Sequence, residues 1–270
     1  MSKNIVKSQK LTSHGQNFNE LKSRFQSNIY GTPKGKLRLD LIQEDFDTYF
    51  YPVIPQGTLE VLDVGCGDAI FSMRLAAKGH RLTMADISSD MLEAARQRAE
   101  SNGVLTDSLT FIQGPLQEVV PDLASSYDLV IAHAVLEWVD EPSKALELIA
   151  SKVAPGGWLS LAFYNENGLT YRNLLQGNFK KLKKGDWDQR KGGLTPQNPI
   201  PPEMVYETLS DAGMNQICRR GIRTFYDFMQ RHVREGRSYE DVLEMERQFS
   251  TKEPFLSIAR YIHVLYQRPL

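Results

Sequence analysis

Glu60-Val-Leu-Asp-Val-Gly-Cys-Gly-Asp68, followed by Leu82-Thr-Met-Ala-Asp86, is the pair of segments that decides the fold. Leu59 to Leu62 is a short apolar run that leads into a glycine pair, the pattern of a buried parallel strand giving way to a tight turn. Gly65 and Gly67 let the backbone approach a ligand. Ile70 to Gly79 follows with apolar Ile70, Phe71, Leu75 and Ala76, so the turn opens a helix whose first amides have no partner in the helix. Asp86 ends the next strand, where a carboxylate can accept both hydroxyls of a ribose. A strand-turn-helix corner without a ligand would explain the glycines alone; Asp86 is what makes an adenosine-bearing ligand the first expectation.

The dinucleotide fingerprint wants a third glycine three residues after Gly67, and this chain has Ile70 there. That argues against NAD. Asp63 and Asp68 flank the turn, and two carboxylates repel a pyrophosphate while suiting an ammonium or a sulfonium. S-adenosylmethionine fits the pattern best.

Composition agrees with an enzyme. The 270 residues suit one large α/β domain with insertions, and 41% hydrophobic residues suffice for a sizeable core. No apolar run approaches the length of a membrane span, and Met1 to Gln16 is polar, without a secretory apolar region, so the expected compartment is the cytoplasm and no membrane partner is expected. Cys66 and Cys218 stand far apart without metal-ligand spacing, so no disulfide and no metal site is expected. The net charge of −1 is uninformative by itself.

Strands are expected near 59–62, 81–85, 109–112, 128–132 and 157–163, with helices between them, which implies a doubly wound parallel sheet in an α/β domain. Ahead of it lie a disordered lead (1–17) and a helical lid (18–54) containing a helix from Leu37 to Phe50. Pro155-Gly156-Gly157 is expected to end a helix running from Pro142 to Val153. A polar, basic insertion (165–202) follows the fifth strand. A helix at 203–212, a strand near 216–226, a helix at 239–249 and a last strand at 258–266 complete one domain over 18–270.

VLDVGCGDA, the acidic strand end at Asp86, the segment Asp107 to Gln117, YDLVIAHAVLEWV and PGGWLSL resemble the class I S-adenosylmethionine-dependent methyltransferases. The resemblance implies a Rossmann-like seven-stranded sheet with its last strand antiparallel. It also implies that Gly65, Cys66 and Gly67 line the methionine portion, Asp86 the ribose, Leu116 and Gln117 the adenine, and His133 the floor near the sulfonium, with Asp63 beside the turn as a further cofactor-binding residue. That family's usual glycine two places after Gly67 is Ala69 here. A likeness running nearly end to end, carried by FQSNIYGTPKGKLR, HAVLEWV, FYNENGL, the QGNF run and RYIHV, is to the tRNA 5-carboxymethoxyuridine methyltransferases. This resemblance implies methylation of the modified wobble uridine's carboxylate, with Arg38 contacting the cofactor, where a guanidinium could hold the methionine carboxylate bidentately.

The acceptor leaves its own traces. The Asn/Asp-Pro-Pro-aromatic signature of amine methylation is replaced by His133-Ala-Val-Leu-Glu137, and neither cysteine is placed as the nucleophile of pyrimidine carbon methylation. A carboxylate, with a pKa of about 4, is ionised already and needs no general base. The requirement becomes groups that orient it: Arg38, Arg172, Arg260 and His263, with Tyr30 and Tyr164 as hydrogen-bond donors. Glu137 and Trp138 read as capping and packing residues.

Tyr171 to Lys191 carries Arg172, Lys180, Lys181, Lys183, Lys184, Arg190 and Lys191 against Asp186 and Asp188, interleaved with Phe179 and Trp187. Cations plus aromatic faces suit the phosphates and unstacked bases of a tRNA anticodon stem-loop. A solvated charged face is the plain alternative. Arg219, Arg220, Arg223, Arg231, Arg234 and Arg237 form a second basic group. Two other readings stay open: a small-molecule O-methyltransferase acting on a metabolite acid or phenol, whose mark would be a closed apolar pocket, and an RNA chaperone that binds the cofactor without catalysis.

Overall fold

The structure is a computed structural model that describes residues 32–123, 126–185, 196 and 198–270. The first described helix, α1 (Pro33–Asp45), starts where proline at its first position follows Thr32, whose side chain accepts the Gly35 amide. It continues through a π turn, Phe46–Phe50. Strands and helices then alternate: β1 (Glu60–Val64), α2 (Met73–Ala76), β2 (Arg81–Asp86), α3 (Ser89–Ser101), β3 (Leu109–Gln113), α4 (Leu116–Asp122), β4 (Tyr127–His133), α5 (Pro142–Ser151) and β5 (Val153–Tyr164). After these come α6 (Glu166–Leu175), α7 (Phe179–Lys184), α8 (Pro202–Asp211), β6 (Asn215–Ile222), α9 (Arg231–Glu235), α10 (Tyr239–Phe249) and β7 (Tyr261–Gln267).

The seven strands form one sheet in the order β3-β2-β1-β4-β5-β7-β6. Parallel pairing runs from β3 to β5, and β7 lies antiparallel to both β5 and β6. Both faces are covered, so the inner strands are apolar on both sides. Val61, Leu129 and Ile131 face a core completed by Leu37, Leu41, Phe46 and Phe50, whereas Leu62, Val130 and Ala132 face one completed by Leu146, Ile149, Val205 and Leu209. Strand order reverses at β1, which has β2 on one side and β4 on the other; a crevice opens beyond the carboxyl ends of strands at such a point.

The differences from the sequence reading have local causes. Pro155-Gly156-Gly157 does not stop a helix: α5 has ended at Ser151, and the triplet lies inside β5, opposite a register shift between Tyr127 and Leu129. β6 stops at Ile222 because Arg223 turns to φ +60°. β7 starts at Tyr261, since the Ser257 and Ala259 carbonyls accept from the Asn165 side chain at 2.9 and 2.8 Å instead of joining a ladder. The basic insertion contributes α6 and α7, and the π turn that continues α1 packs on the sheet, with Phe50 edge-on to Trp158 at 5.5 Å. The lead at 1–17 and the first part of the expected lid lie outside the described residues.

Candidate active site

Gly65 and Gly67 take φ of +64° and +57° directly after β1. A side chain at Gly65 would meet Val135 Cγ2 at 2.6 Å, whereas one at Gly67 would meet nothing and project into open space. The turn is tied to the end of β2: the Gly65 and Cys66 amides donate to the Ala85 carbonyl at 2.7 and 3.1 Å, and the Gly67 amide donates to Asp86 Oδ2 at 2.8 Å. Asp86 Oδ1 accepts the Ser88 amide, also at 2.8 Å. Ala69, where glycine is usual, adopts φ +55°.

The cavity over this turn is lined by Asp63, Gly65, Cys66, Gly67, Asp86, Leu116, Gln117 and His133, together with Arg38 and Ile42 reaching down from α1. Except for Asp68, the residues expected to meet the cofactor thus share one cavity. Its wall also includes Ile87, Val135, Trp138 and Tyr261, which the sequence reading missed. Tyr261 stood inside the RYIHV run, and only its place beside the carboxyl end of β5 gives it a role.

Asp63 is buried, and burial, with a smaller contribution from Asp86, pushes its carboxyl up to about 7 against the opposing Ser72 hydrogen bond. Asp68 does not flank the ligand space as expected: it is fully buried in an ion pair with Arg98 and faces α3. Glu137 is no cap either. It is completely buried, its carboxylate has no side-chain hydrogen-bond partner among the described residues, and burial raises its carboxyl to about 7 against the opposing backbone amides of Glu137 and Tyr164 and the nearby Arg38.

Next to the cavity lies a cationic cluster. Asp227 faces Arg223 at 3.2 Å, Lys34 at 3.6 Å and Arg260 at 3.8 Å. Burial would raise the Asp227 carboxyl, but Arg223, Arg260, Lys34 and Arg172 outweigh it and hold it below its ordinary value. Four cations therefore surround one carboxylate. Buried donors there lack partners: Arg172 Nε, Arg223 Nε, Arg260 Nη1 and the Tyr164 hydroxyl. Tyr261 joins the two regions, with the Arg38 guanidinium 5.3 Å and that of Arg223 5.4 Å from its ring centre, and Tyr164 edge-on to it at 5.4 Å. Arg260 lies over Tyr164 at 4.6 Å.

Of the residues expected to orient an acceptor, Arg172, Arg260 and Tyr164 meet in this cluster. His263 does not. Its ring is fully buried, Nδ1 pairs with Asp45 at 2.7 Å and Nε2 with Ser160 at 3.0 Å, so neither nitrogen can reach an acceptor. Tyr30, Arg190 and Lys191 lie outside the described residues.

Lys180, Lys181, Lys183 and Lys184 stand on α7 beside the exposed apolar side chains of Leu174, Leu175 and Phe179. The second basic group is not one surface. Arg220 is buried on Asp45 at 2.7 Å, Arg223 belongs to the Asp227 cluster, and Arg231 pairs with Glu235.

Comparison with known proteins agrees with this geometry. Residues 62–161 match the family described as "Methyltransferase domain". Magnesium protoporphyrin IX methyltransferase from Synechocystis PCC 6803, solved with bound SAH, superposes with a TM-score of 0.63 at 20% identity, covering 93% of this chain and 96% of that one. A ubiquinone biosynthesis O-methyltransferase of Vibrio vulnificus is 33% identical over 69% of this chain and 72% of its own. The tRNA 5-carboxymethoxyuridine methyltransferase of Escherichia coli K12 is 37% identical over 94% of this chain and 97% of its own length. With a seven-stranded sheet, a glycine turn closed on Asp86 and that near-complete alignment, the chain belongs to the tRNA 5-carboxymethoxyuridine methyltransferase family.

Proposed function

We propose that the chain uses S-adenosylmethionine to methylate the carboxylate of 5-carboxymethoxyuridine at the tRNA wobble position, giving the methyl ester, and that it works in the cytoplasm, where that substrate resides. The observation that carries the acceptor assignment is the surplus of cations at Asp227, with buried donors left unpartnered beside the cavity. A carboxylate brings two anionic oxygens to such donors, whereas a neutral phenol brings one uncharged oxygen, and each buried donor left without a partner costs about 1–3 kcal/mol.

S-adenosylmethionine, when bound, supplies a methyl group on a positively charged sulfur. Gly67, whose added Cβ would meet open space, leaves room for the cofactor, and each oxygen of Asp86 keeps lone-pair capacity for a ribose hydroxyl after its backbone bond. Arg38 is assigned to the methionine carboxylate, and Leu116 and Gln117 to the adenine. The acceptor's carboxylate oxygen donates a lone pair to the methyl carbon while the carbon–sulfur bond breaks towards sulfur. No proton moves, so no general base is required. The protein's task is alignment, which falls to Arg172, Arg223, Arg260 and Tyr164. Cysteine chemistry is disfavoured: burial, then Asp63, Asp86 and Asp68, push the Cys66 thiol well up, and burial raises Cys218 to about 12.

The helix α1 serves as the lid over the cofactor, and α6 with α7 serves as the RNA-facing surface, where the lysines meet phosphates and Phe179 offers a stacking face for a base of the anticodon loop. The test is incubation with S-adenosylmethionine and tRNA from cells lacking the activity, followed by nucleoside mass analysis. A methyl gain at the wobble nucleoside that mild alkali removes is the expected ester. An alkali-stable methyl would overturn the assignment.

A further inference from the structure

His133 lines the cavity from the end of β4, and its Nε2 lies 2.8 Å from Ser160 Oγ on β5. Ser160 Oγ is in turn 3.0 Å from His263 Nε2 on β7, and His263 Nδ1 is 2.7 Å from Asp45 Oδ2 on α1. Asp45 Oδ1 accepts from Arg220 Nε at 2.7 Å. Ser160, His263 and Asp45 are each at most 1% exposed, so the chain runs through the protein without solvent. Donor-acceptor arithmetic gives it a direction. The Asp45 carboxylate can only accept and its charge is already met by Arg220, so a His263 ring that bears one proton carries it on Nδ1 and presents a bare Nε2. The single hydrogen of Ser160 goes to that Nε2. Ser160 Oγ then accepts from His133 Nε2–H, and the lone pair that His133 has left for the cavity is on Nδ1. Burial above all holds His133 well below the usual imidazole value, in keeping with a ring bearing one proton.

We propose that Ser160, His263 and Asp45 are positioning residues that lock His133 in the Nε2–H tautomer, so that an unprotonated nitrogen faces the cavity and favours the positively charged cofactor over its neutral, demethylated product. The inference rests on S-adenosylmethionine as the ligand of this cavity, and not on the identity of the RNA acceptor. A lone pair near a sulfonium and its polarised methyl hydrogens is attractive; the same lone pair near a thioether gains little. The selectivity eases release of the product. The arrangement also ties the lid to the cavity floor: Arg38, Ile42 and Asp45 are spaced four and three residues apart on one face of α1, so the helix that lines the cavity also anchors the far end of the chain. Cys218 lies close by, with donor atoms of Asp45, Cys218 and His263 within 4.8 Å of one another, but both Asp45 oxygens are engaged by Arg220 and His263, so the trio is wired as hydrogen bonds rather than as a metal cage.

The experiment combines nitrogen-15 imidazole spectra of the ligand-free protein with calorimetric affinities for S-adenosylmethionine and S-adenosylhomocysteine, on the wild type, Ser160→Ala, Ser160→Thr and His263→Gln. The wild type should hold His133 as a single Nε2–H tautomer. Ser160→Ala should mix the tautomers and lower the ratio of the two affinities by about fivefold, the size of a modest hydrogen-bond difference, with Ser160→Thr restoring both. His263→Gln repeats the test at the next link should Ser160→Ala fail to fold. An Nδ1–H tautomer in the wild type, or an unchanged tautomer and ratio in folded Ser160→Ala and His263→Gln, would overturn the proposal. Absence of all S-adenosylmethionine binding in the wild type would instead sink the underlying cofactor reading.

Discussion

The Gly67 amide donates to Asp86 Oδ2 at 2.8 Å, so the turn after β1 and the end of β2 are closed on each other before any ligand arrives. One carboxylate therefore holds the cradle in shape and, in the proposed function, also takes the ribose. The preformed geometry lowers the ordering cost of binding.

Asp86→Ala should accordingly remove both functions together. The affinity for S-adenosylmethionine should fall at least about 100-fold, corresponding to roughly 3 kcal/mol for a buried charged hydrogen-bonding group. Isothermal calorimetry measures it. An affinity within threefold of the wild type would show that Asp86 does not hold the cofactor.

Glu137, fully buried and without an ion-pair partner among the described residues, should make stability depend on pH. Its carboxyl is raised from an ordinary 4.5 to about 7, so between those values the folded state binds more protons than the unfolded chain and stability falls as pH rises. Asp63, raised from 3.8 to about 7, acts in the same sense. Glu137→Gln removes the first contribution, and at pH 8 it should stabilise the ligand-free protein by up to about 3 kcal/mol, with little gain at pH 4.5. Thermal melts at the two pH values decide; equal shifts at both would contradict the assignment.

Arg260→Met tests the acceptor cluster while keeping the bulk that packs on Tyr164. Loss of a guanidinium that grips a carboxylate should reduce kcat/KM for tRNA by about 100-fold, mostly through substrate KM, and leave cofactor affinity intact. Asp227 keeps Arg223 and Lys34, so the remaining cluster stays compensated. A selective loss of cofactor affinity would move Arg260 to the other side of the site.

Replacing Lys180, Lys181, Lys183 and Lys184 together by alanine should weaken tRNA binding and flatten its dependence on salt. At roughly 0.7 per phosphate contact for a single strand, the slope of log K against log salt should become shallower by about 1–3 units. Binding measured across a salt series provides the check. An unchanged slope would leave α7 as an ordinary solvated face.

Local pattern made much of the protein legible from its sequence. The alternation of apolar strands and amphipathic helices specifies the doubly wound sheet, because strand period and helix period are properties of neighbouring residues. The cofactor turn was equally readable, since Gly65, Gly67 and Asp86 sit in two short segments joined by one crossover. Partnerships over long separations were not readable. Asp45 meets His263 across 218 positions and Arg220 across 175, and no local periodicity encodes either contact. His263 stood among the candidates for the acceptor because its chemistry suited the task, yet burial and two hydrogen bonds commit it elsewhere. Asp68 looked like a ligand-facing acid until Arg98 claimed it. The sequence by itself determined the sheet and the glycine cradle, and only its resemblance named the acceptor; the tertiary structure alone decided which charges face the cavity and which are spent on one another, because burial and pairing depend on elements that meet in space rather than along the chain.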